Sequence, residues 1–258
     1  MQVAKRVAVV TGASSGIGAA LVRKLAGEGY TCVLLARREG LLQELAAEIG
    51  GEAEVCDVAD REAVERVARA VLERHPRIAL LVNNAGIPAR MNFFGPDPAP
   101  IDNVTRVNYL GSVWTARAFL PGLKAAAPSD LVNLVSVAGM IAVGGGGPYA
   151  ASKHALIAFS RAIQPELAQE GVRVHTVCPG FIETEGFPQT RFTRRRLMRP
   201  FVPGPDFVAQ HVLRAVDKNL REIVIPWWYR PLALLPTVAP GFTARVLSRV
   251  GPSGETHS

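Results

Sequence analysis

The sequence has little cysteine and no cluster of metal-ligating residues. Its 258 residues include only three cysteines, Cys32, Cys56 and Cys178. Each lies inside an apolar run that is typical of a buried strand, and no two of them have the spacing of metal ligands. This pattern argues against a disulfide-stabilised secreted domain and against a cysteine metal site. We therefore expect three core thiols in a reducing compartment.

The sequence also lacks a secretion signal and an excess of acid. It begins MQVAKRVAVVTG and enters a strand directly, without the apolar stretch that a signal peptide needs, so a cytoplasmic protein is expected. Lys and Arg number 29 against 22 Asp and Glu, giving a net charge of +7. Part of this excess lies between Arg191 and Arg199. Such clustering favours a basic rim around an active site over nucleic-acid binding.

The distribution of apolar residues indicates an α/β fold. Hydrophobic residues make up 48% of the chain, enough to bury one large core, and a single domain over residues 1–258 is expected. Short β-branched runs alternate with segments whose apolar residues recur every three or four positions. This alternation predicts a doubly wound, seven-stranded parallel sheet with helices on both faces. The predicted strands are 7–10, 32–36, 53–56, 80–85, 131–136, 172–178 and 222–225, and three predicted helices include 19–25, 41–49 and 64–72.

A glycine-rich turn follows the first predicted strand and precedes a helix. It has the sequence Thr-Gly-Ala-Ser-Ser-Gly-Ile-Gly, at 11–18. Glycine permits a tight turn and a close approach of the backbone, so main-chain N–H groups and the helix N-terminus can face a pyrophosphate. The strand before and the helix after favour a nucleotide site over a plain connector. The predicted cofactor contacts in this turn are Gly12, Ser14, Ser15, Gly16, Ile17 and Gly18.

The end of the second predicted strand has no carboxylate. NAD-dependent members of dinucleotide-binding folds place an acidic residue there to bind the ribose 2′-hydroxyl. Here Ala36 is followed by Arg37 and Arg38. Arg37 can form a charge-assisted pair with a 2′-phosphate, which favours NADP(H) over NAD(H). The alternative is that both arginines belong to a solvated face at the start of the next helix, and Arg38 fits this alternative better than Arg37.

A serine, a tyrosine and a lysine have the arrangement of an acid–base site. Ser136 ends the fifth predicted strand, and Tyr149 and Lys153 share one face of the following helix because they are four positions apart. A tyrosine hydroxyl, with an ordinary pKa of about 10, needs a neighbouring cation to act near neutrality. Lys153 is placed to supply that charge and lower the pKa of Tyr149. We predict that Ser136 orients a substrate oxygen while Tyr149 exchanges its proton.

These motifs, in this order, resemble the short-chain dehydrogenase/reductase family. The glycine-rich turn, the segment Asn83-Asn84-Ala85-Gly86, the Tyr149–Lys153 pair and Pro179-Gly180 all match, and the resemblance covers residues 5–225. It implies a Rossmann-type fold, a nicotinamide cofactor, and a homodimer or homotetramer. It also implies that Asn108 supports a water relay to Lys153. The cofactor contacts that it implies are Asp57 at the adenine, Val58, the Asn83 segment with Asn84, Ala85 and Gly86, Tyr149, Lys153, Pro179, Gly180, Ile182, and Thr184 at the nicotinamide carboxamide.

Two stretches lie outside these motifs. Residues 181–205, rich in Phe and Arg, are expected to form a substrate lid, because ligands bind beyond the carboxyl ends of the strands. The mixture favours a lipophilic substrate, although the arginines can equally serve only to solubilise the lid.

Prolines and arginines in the apolar extension 226–250 argue against a membrane-spanning helix. Packing across an oligomer or over the substrate mouth is preferred to interfacial membrane contact, and residues 251–258 are expected to be disordered.

The sequence therefore predicts an NADP(H)-dependent oxidoreductase that interconverts a carbonyl compound and a secondary alcohol. Two other functions stay open. One is a scaffold that binds the cofactor without catalysis, which a broken set of catalytic residues would reveal; Ser136, Tyr149, Lys153 and Asn108 are all present. The other is a non-redox epimerase or dehydratase, which would show no net change in nicotinamide absorbance.

Overall fold

The computed structural model describes residues 6–89, 91, 93–142, 146–182 and 202–250, of which 247–250 are described by their main chain only. Seven strands form one parallel sheet in the order β3-β2-β1-β4-β5-β6-β7. The strands are β1 Arg6–Thr11, β2 Tyr30–Ala36, β3 Glu52–Val55, β4 Leu80–Asn83, β5 Ser129–Leu134, β6 Val172–Pro179 and β7 Glu222–Ile225. The predicted sheet is confirmed. The strand order reverses between β1 and β4, which opens a crevice at the carboxyl ends of these two strands.

Three predicted strands end earlier than expected. The fourth and fifth were predicted to continue to residues 85 and 136, but β4 ends at Asn83 and β5 at Leu134. The chain leaves the sheet after β4 because the N–H groups of residues 84 and 85 turn to the hydroxyl of Thr11. After β5 it enters a 3₁₀ turn capped by the Ser136 hydroxyl. Cys56 lies one residue beyond β3, yet all three cysteines are buried free thiols, as expected.

The helices pack on both faces of the sheet and produce two apolar layers. One layer contains Leu21, Leu42 and Val212. The other contains Val64 and Phe119. The helices are α1 Gly16–Gly27, α2 Glu39–Ile49, α3 Arg61–Arg74, α4 Ala99–Thr105, α5 Gly111–Ala126, α6 Gly147–Ala168, α7 Pro205–Asp217, α8 Arg230–Val238 and α9 Pro240–Val250, with a π-helical turn at Arg106–Leu110 and 3₁₀ turns at Val137–Gly139 and Trp227–Tyr229. The three predicted helices lie within α1, α2 and α3.

The C-terminal extension is helical. After β7 the chain passes through the 3₁₀ turn Trp227–Tyr229 into α8, and α9 packs back on α8. Among the residues described, no helix has the length and apolar character needed to cross a membrane. The same residues include no group of three or more His, Cys, Asp or Glu side chains placed to hold a metal ion. Most of the predicted lid, and residues 251–258, lie outside the described residues.

Candidate active site

The glycine-rich turn has a geometry that side chains would block. Gly12 and Gly16 adopt positive φ angles of 66° and 56°, which favour glycine. A Cβ added to Gly18 would lie 2.4 Å from the carbonyl oxygen of Gly12. The main chain of the glycine-rich turn is therefore closely packed. The residues of the turn have small side chains, which leave the N-terminus of α1 uncovered. Such a terminus can bind a phosphate through its N–H groups.

Thr11 and Asn84 join the glycine-rich turn to the loop after β4. The Thr11 hydroxyl accepts hydrogen bonds from the N–H groups of Asn84 at 3.0 Å and Ala85 at 3.1 Å. In return, the Asn84 side-chain amide donates to the carbonyl oxygens of Thr11 at 2.9 Å and Gly12 at 3.1 Å. These bonds place Ala85 and Gly86 beside the turn, at the reversal of strand order. The predicted contacts from the two loops thus lie in one crevice.

Asn83 has a different role from its neighbour. The resemblance implied that the Asn83 segment lines the cofactor crevice, but this side chain is only 1% exposed. Its amide donates to the Asn133 side chain at 2.9 Å and to the Ser112 carbonyl at 3.1 Å, and its oxygen accepts from the Thr115 hydroxyl at 2.5 Å. Asn83 therefore ties β4 to β5 and α5, and the crevice side of this segment begins at Asn84.

The two arginines after β2 point to different partners. The Arg38 guanidinium donates from Nε to the Ser14 hydroxyl at 3.2 Å and also contacts the Ser15 hydroxyl. Arg38 is exposed at the start of α2, as expected of a solvated face, and its extended backbone before α2 also lets the side chain lie over the glycine-rich turn. Arg37 lies 3.8 Å from a carboxylate oxygen of Asp57. Two guanidinium groups thus border the end of β2.

The loop after β3 is held by local contacts. The Asp57 carboxylate accepts from the N–H of Ala59 at 3.0 Å, in addition to its pair with Arg37. Val58 is buried against α5, where a Cβ on Gly111 would lie 2.9 Å from a Val58 methyl. The side chain of Val58 therefore packs in the protein, so any contact with a cofactor must come from its main chain.

Ser136, Tyr149 and Lys153 converge beyond the end of β5. The hydroxyl of Ser136 is hydrogen-bonded to that of Tyr149, and its oxygen also accepts from the N–H of Ala138 at 3.1 Å. The ammonium of buried Lys153 lies 5.8 Å from the centroid of the Tyr149 ring. It donates to the Leu134 carbonyl at 3.1 Å. The predicted trio is thus gathered in one place, with the ammonium bound to the end of β5.

Burial controls the protonation of this trio. It raises the pKa of Tyr149 to about 12, while the hydrogen bond from Ser136 acts in the opposite direction. It lowers the pKa of Lys153 to about 8. The sequence led us to expect that Lys153 lowers the pKa of Tyr149; burial outweighs that effect here because the ammonium is directed to Leu134. Tyr149 therefore holds its proton near neutrality, which suits a group that donates a proton to a substrate oxygen.

Asn108 holds the loop after β4 next to Lys153. Asn108 lies in the π-helical turn Arg106–Leu110, and such turns are often found at functional sites. The side-chain oxygen accepts from the Ile87 N–H at 2.8 Å, and the amide donates to the Ile87 carbonyl at 3.0 Å and to the Ser152 hydroxyl at 3.1 Å. A Cβ on Gly86 would lie 3.4 Å from the Asn108 oxygen and 3.5 Å from the Lys153 ammonium. Gly86 thus lies directly beside these two polar groups.

The loop after β6 contacts the C-terminal extension. Gly180 follows Pro179, donates its N–H to the Ile225 carbonyl at 2.7 Å, and has no room for a side chain because Tyr229 covers it. The Phe181 and Tyr229 rings meet edge to face at 6.1 Å. Ile182 is buried in the apolar layer with α1 and α7 rather than exposed to the crevice. Thr184 lies outside the described residues.

Sequence reasoning missed Phe93 and Phe94. A Cβ on Gly147 would lie 2.5 Å from the Phe93 ring, so this ring packs on the start of α6, two residues before Tyr149. Phe94 is fully exposed beside it. Gly147, the last of four consecutive glycines, is therefore covered by an aromatic ring, while Gly144 and Gly145 lie outside the described residues. Two adjacent phenylalanines in a loop rich in proline and polar residues were the signal available in the sequence.

Comparison with known proteins places this chain among oxidoreductases. A model of the family described as short chain dehydrogenase matches residues 6–194. "Short-chain dehydrogenase/reductase 3" of Bos taurus is 33% identical over 239 residues, covering 90% of this chain and 78% of that protein. The crystal structure of an actinorhodin polyketide ketoreductase with NADPH has a TM-score of 0.78 at 28% identity, over 86% of this chain and 95% of that one. A short-chain dehydrogenase/reductase from Burkholderia phymatum in complex with NAD has a TM-score of 0.79 at 27% identity, over 90% and 93%.

Proposed function

This chain belongs to the short-chain dehydrogenase/reductase family and is an NAD(P)-dependent oxidoreductase, and we propose that it interconverts a lipophilic carbonyl compound and a secondary alcohol with NADP(H). The observation that carries this proposal is the hydrogen-bonded Ser136–Tyr149 pair, which lies beside buried Lys153 and the loop after β4. A carbonyl oxygen that approaches both hydroxyls would meet a hydrogen-bond donor and a proton source. We propose that the chain acts as a single domain.

The proposed roles follow from the atoms present. The Ser136 hydroxyl holds the substrate oxygen, and the Tyr149 hydroxyl donates its proton to that oxygen during reduction. The raised pKa of Tyr149 keeps the proton in place until the oxygen becomes basic. Lys153 supplies positive charge beside the tyrosine, and Asn108 positions the adjoining loop and supports proton resupply. A bound nicotinamide supplies or accepts the hydride.

The residues around the crevice fit an NADP(H) molecule. The end of β2 offers two guanidinium groups, from Arg37 and Arg38, and the Ser14 and Ser15 hydroxyls lie next to the second. A 2′-phosphate carries negative charge that guanidinium groups bind through charge-assisted hydrogen bonds. The carboxylate of Asp57, in the loop after β3, faces Arg37. The structural relatives include one complex with NADPH and one with NAD, so the preference for NADP(H) depends on these arginines.

Cofactor preference can be measured by titration with NADPH and NADH. We expect Arg38→Ala to weaken NADPH binding roughly 10- to 100-fold, because a charged hydrogen bond contributes about 1.5–3 kcal/mol, and to leave NADH binding nearly unchanged. Arg37→Ala should act in the same direction. Arg23→Ala is the matched control, because Arg23 pairs with Glu48 on the surface between α1 and α2. An equal loss of NADH and NADPH affinity would contradict a phosphate-binding role.

The proposal of a lipophilic substrate is supported by aromatic rings at the site entrance. Phe93 covers the start of α6, and Phe94 is exposed next to it. The rings of Phe181 and Tyr229 pack against each other at the loop after β6. A series of methyl ketones of increasing chain length tests this point. We expect kcat/KM to rise with chain length, and Phe93→Ala to reduce that dependence mainly through KM. A kcat/KM that does not depend on chain length would contradict it.

The catalytic assignment is tested by Tyr149→Phe. Loss of the proton donor should lower ketone reduction roughly 10²- to 10⁴-fold, while NADPH binding stays within a few-fold of the unsubstituted protein. A thermal unfolding scan controls for folding. Retained turnover would refute the role of Tyr149. Substrate conversion without a change in nicotinamide absorbance would instead support epimerisation or dehydration, and cofactor binding without any conversion would support the scaffold.

A further inference from the structure

The C-terminal hairpin, residues 227–250, presents a concentrated apolar surface to solvent. Among the described residues, 12 large apolar side chains are exposed, and seven of them belong to this hairpin. On α8 and α9 the most exposed are Val238 at 75%, Leu234 at 60% and Phe242 at 58%. Single exposed apolar residues are ordinary, but their concentration in one short helical hairpin points to an interaction surface. The seven are Trp227, Trp228, Leu232, Leu234, Val238, Phe242 and Val246.

The same segment carries charge of one sign. It contains Arg230, Arg245 and Arg249 and no Asp or Glu, although the whole chain has 22 acidic residues. Tryptophan and tyrosine prefer the boundary between hydrocarbon and water, and arginine is attracted to anionic headgroups. The Trp227–Trp228 pair, with rings 6.2 Å apart, lies at the start of this positively charged apolar surface. The apolar and positively charged side chains of the hairpin complement a surface that has negatively charged groups on the outside and an apolar interior.

The length of the helices favours a position on a bilayer rather than across it. With 9 residues in α8 and 11 in α9, each helix is roughly 15 Å long, about half of the roughly 30 Å hydrocarbon core. A second copy of the chain is a poorer partner. A symmetric contact would bring the arginines of two hairpins together, and the segment has no carboxylate to compensate. Anionic lipid satisfies both the apolar side chains and the charge.

We infer that the C-terminal hairpin docks on the headgroup region of an anionic lipid bilayer, with its exposed apolar side chains in the acyl boundary. The hairpin is joined to the active site through Tyr229, whose ring covers Gly180 and contacts Phe181. Docking therefore brings the loop after β6 close to the bilayer. One consequence rests on the proposed function: an apolar carbonyl substrate enters the site directly from the membrane.

The test is sedimentation of the full chain with vesicles of phosphatidylcholine, with and without phosphatidylglycerol. We expect partitioning at least roughly fivefold stronger with phosphatidylglycerol, because exposed Arg230 contributes about fivefold near an anionic surface. Added salt should reduce this difference. Leu234→Glu should weaken binding to the anionic vesicles roughly tenfold or more. Leu41→Glu is the matched control, because Leu41 is an exposed leucine at the start of α2 and should leave binding unchanged.

A second variant and a second measurement separate the possible partners. Arg230→Gln should weaken binding to phosphatidylglycerol vesicles about fivefold and leave binding to phosphatidylcholine unchanged. Thermal unfolding confirms that each variant is folded. Failure of the unsubstituted chain to bind either vesicle overturns the inference. So does an oligomer that Leu234→Glu dissociates in ultracentrifugation without any vesicle binding, which assigns the surface to a second copy. No readout involves turnover, so this outcome is independent of the proposed reaction.

Discussion

Replacing Thr11 by valine keeps the shape of the side chain and removes the oxygen that joins β1 to the loop after β4. This side chain is buried, and its oxygen accepts from the N–H groups of Asn84 and Ala85 and donates to the Val82 carbonyl. A buried N–H without a partner costs about 1–3 kcal/mol. Asn84 and Ala85 are only half-buried, so water compensates in part. We therefore expect Thr11→Val to lower the free energy of unfolding by about 2–3 kcal/mol.

Thr11→Ser provides the comparison, because it keeps the oxygen and removes one buried methyl group. Its expected cost is about 1 kcal/mol. Equilibrium unfolding in urea measures both, as a shift of the midpoint at an unchanged slope. NADPH titration should also show weaker binding for Thr11→Val, because Ala85 and Gly86 are released from the glycine-rich turn. If the valine variant is as stable as the serine variant, the hydroxyl does not hold these loops together.

Two further predictions concern catalysis and the core. The pKa of Lys153, about 8, means that its charge is present below that pH and lost above it, so ketone reduction should fall as pH rises through about 8. Tyr149, with a pKa of about 12, stays protonated over this range, and a rate that is constant well above pH 8 would contradict the need for a charged Lys153. Phe119→Ala removes a fully buried ring from the layer under α5 and should lower the free energy of unfolding by about 3–5 kcal/mol. A urea midpoint close to that of the unsubstituted protein would show that the layer collapses around the gap.

Features confined to one element were predictable from the sequence. Apolar runs predicted seven parallel strands because strands buried on both faces need continuous apolar character. The spacing of Tyr149 and Lys153 was informative because positions four apart share a helix face. The glycine-rich turn was recognisable because the positive φ of Gly12 and the close packing of Gly18 against the Gly12 carbonyl oxygen leave no alternative to glycine. In each case the constraint acts between residues that are neighbours along the chain.

The strand ends were less predictable, for a different reason. Residues 84 and 85 follow the apolar run of β4 with no glycine or proline to end the strand, but their N–H groups bond to Thr11, which lies 73 and 74 positions away. Asn83 and Asn84 have identical side chains in adjacent positions. One enters the network between β4, β5 and α5, and the other faces the glycine-rich turn. At the carboxyl end of β4, successive side chains point in different directions. Only this alternation in the folded sheet separates the two roles.

The sequence by itself determined the parallel sheet, the glycine-rich turn, the Ser–Tyr–Lys trio and the absence of a carboxylate at the two positions directly after β2. Tertiary structure decided which arginine reaches the turn, because Arg38 meets Ser14 and Ser15 across 24 and 23 positions of chain. It also directed the Lys153 ammonium to the Leu134 carbonyl and desolvated the Tyr149 hydroxyl, which raises the pKa of Tyr149 instead of lowering it. Solvation and partners depend on elements distant in the chain. A local pattern specifies which groups are present, and only packing specifies what surrounds them.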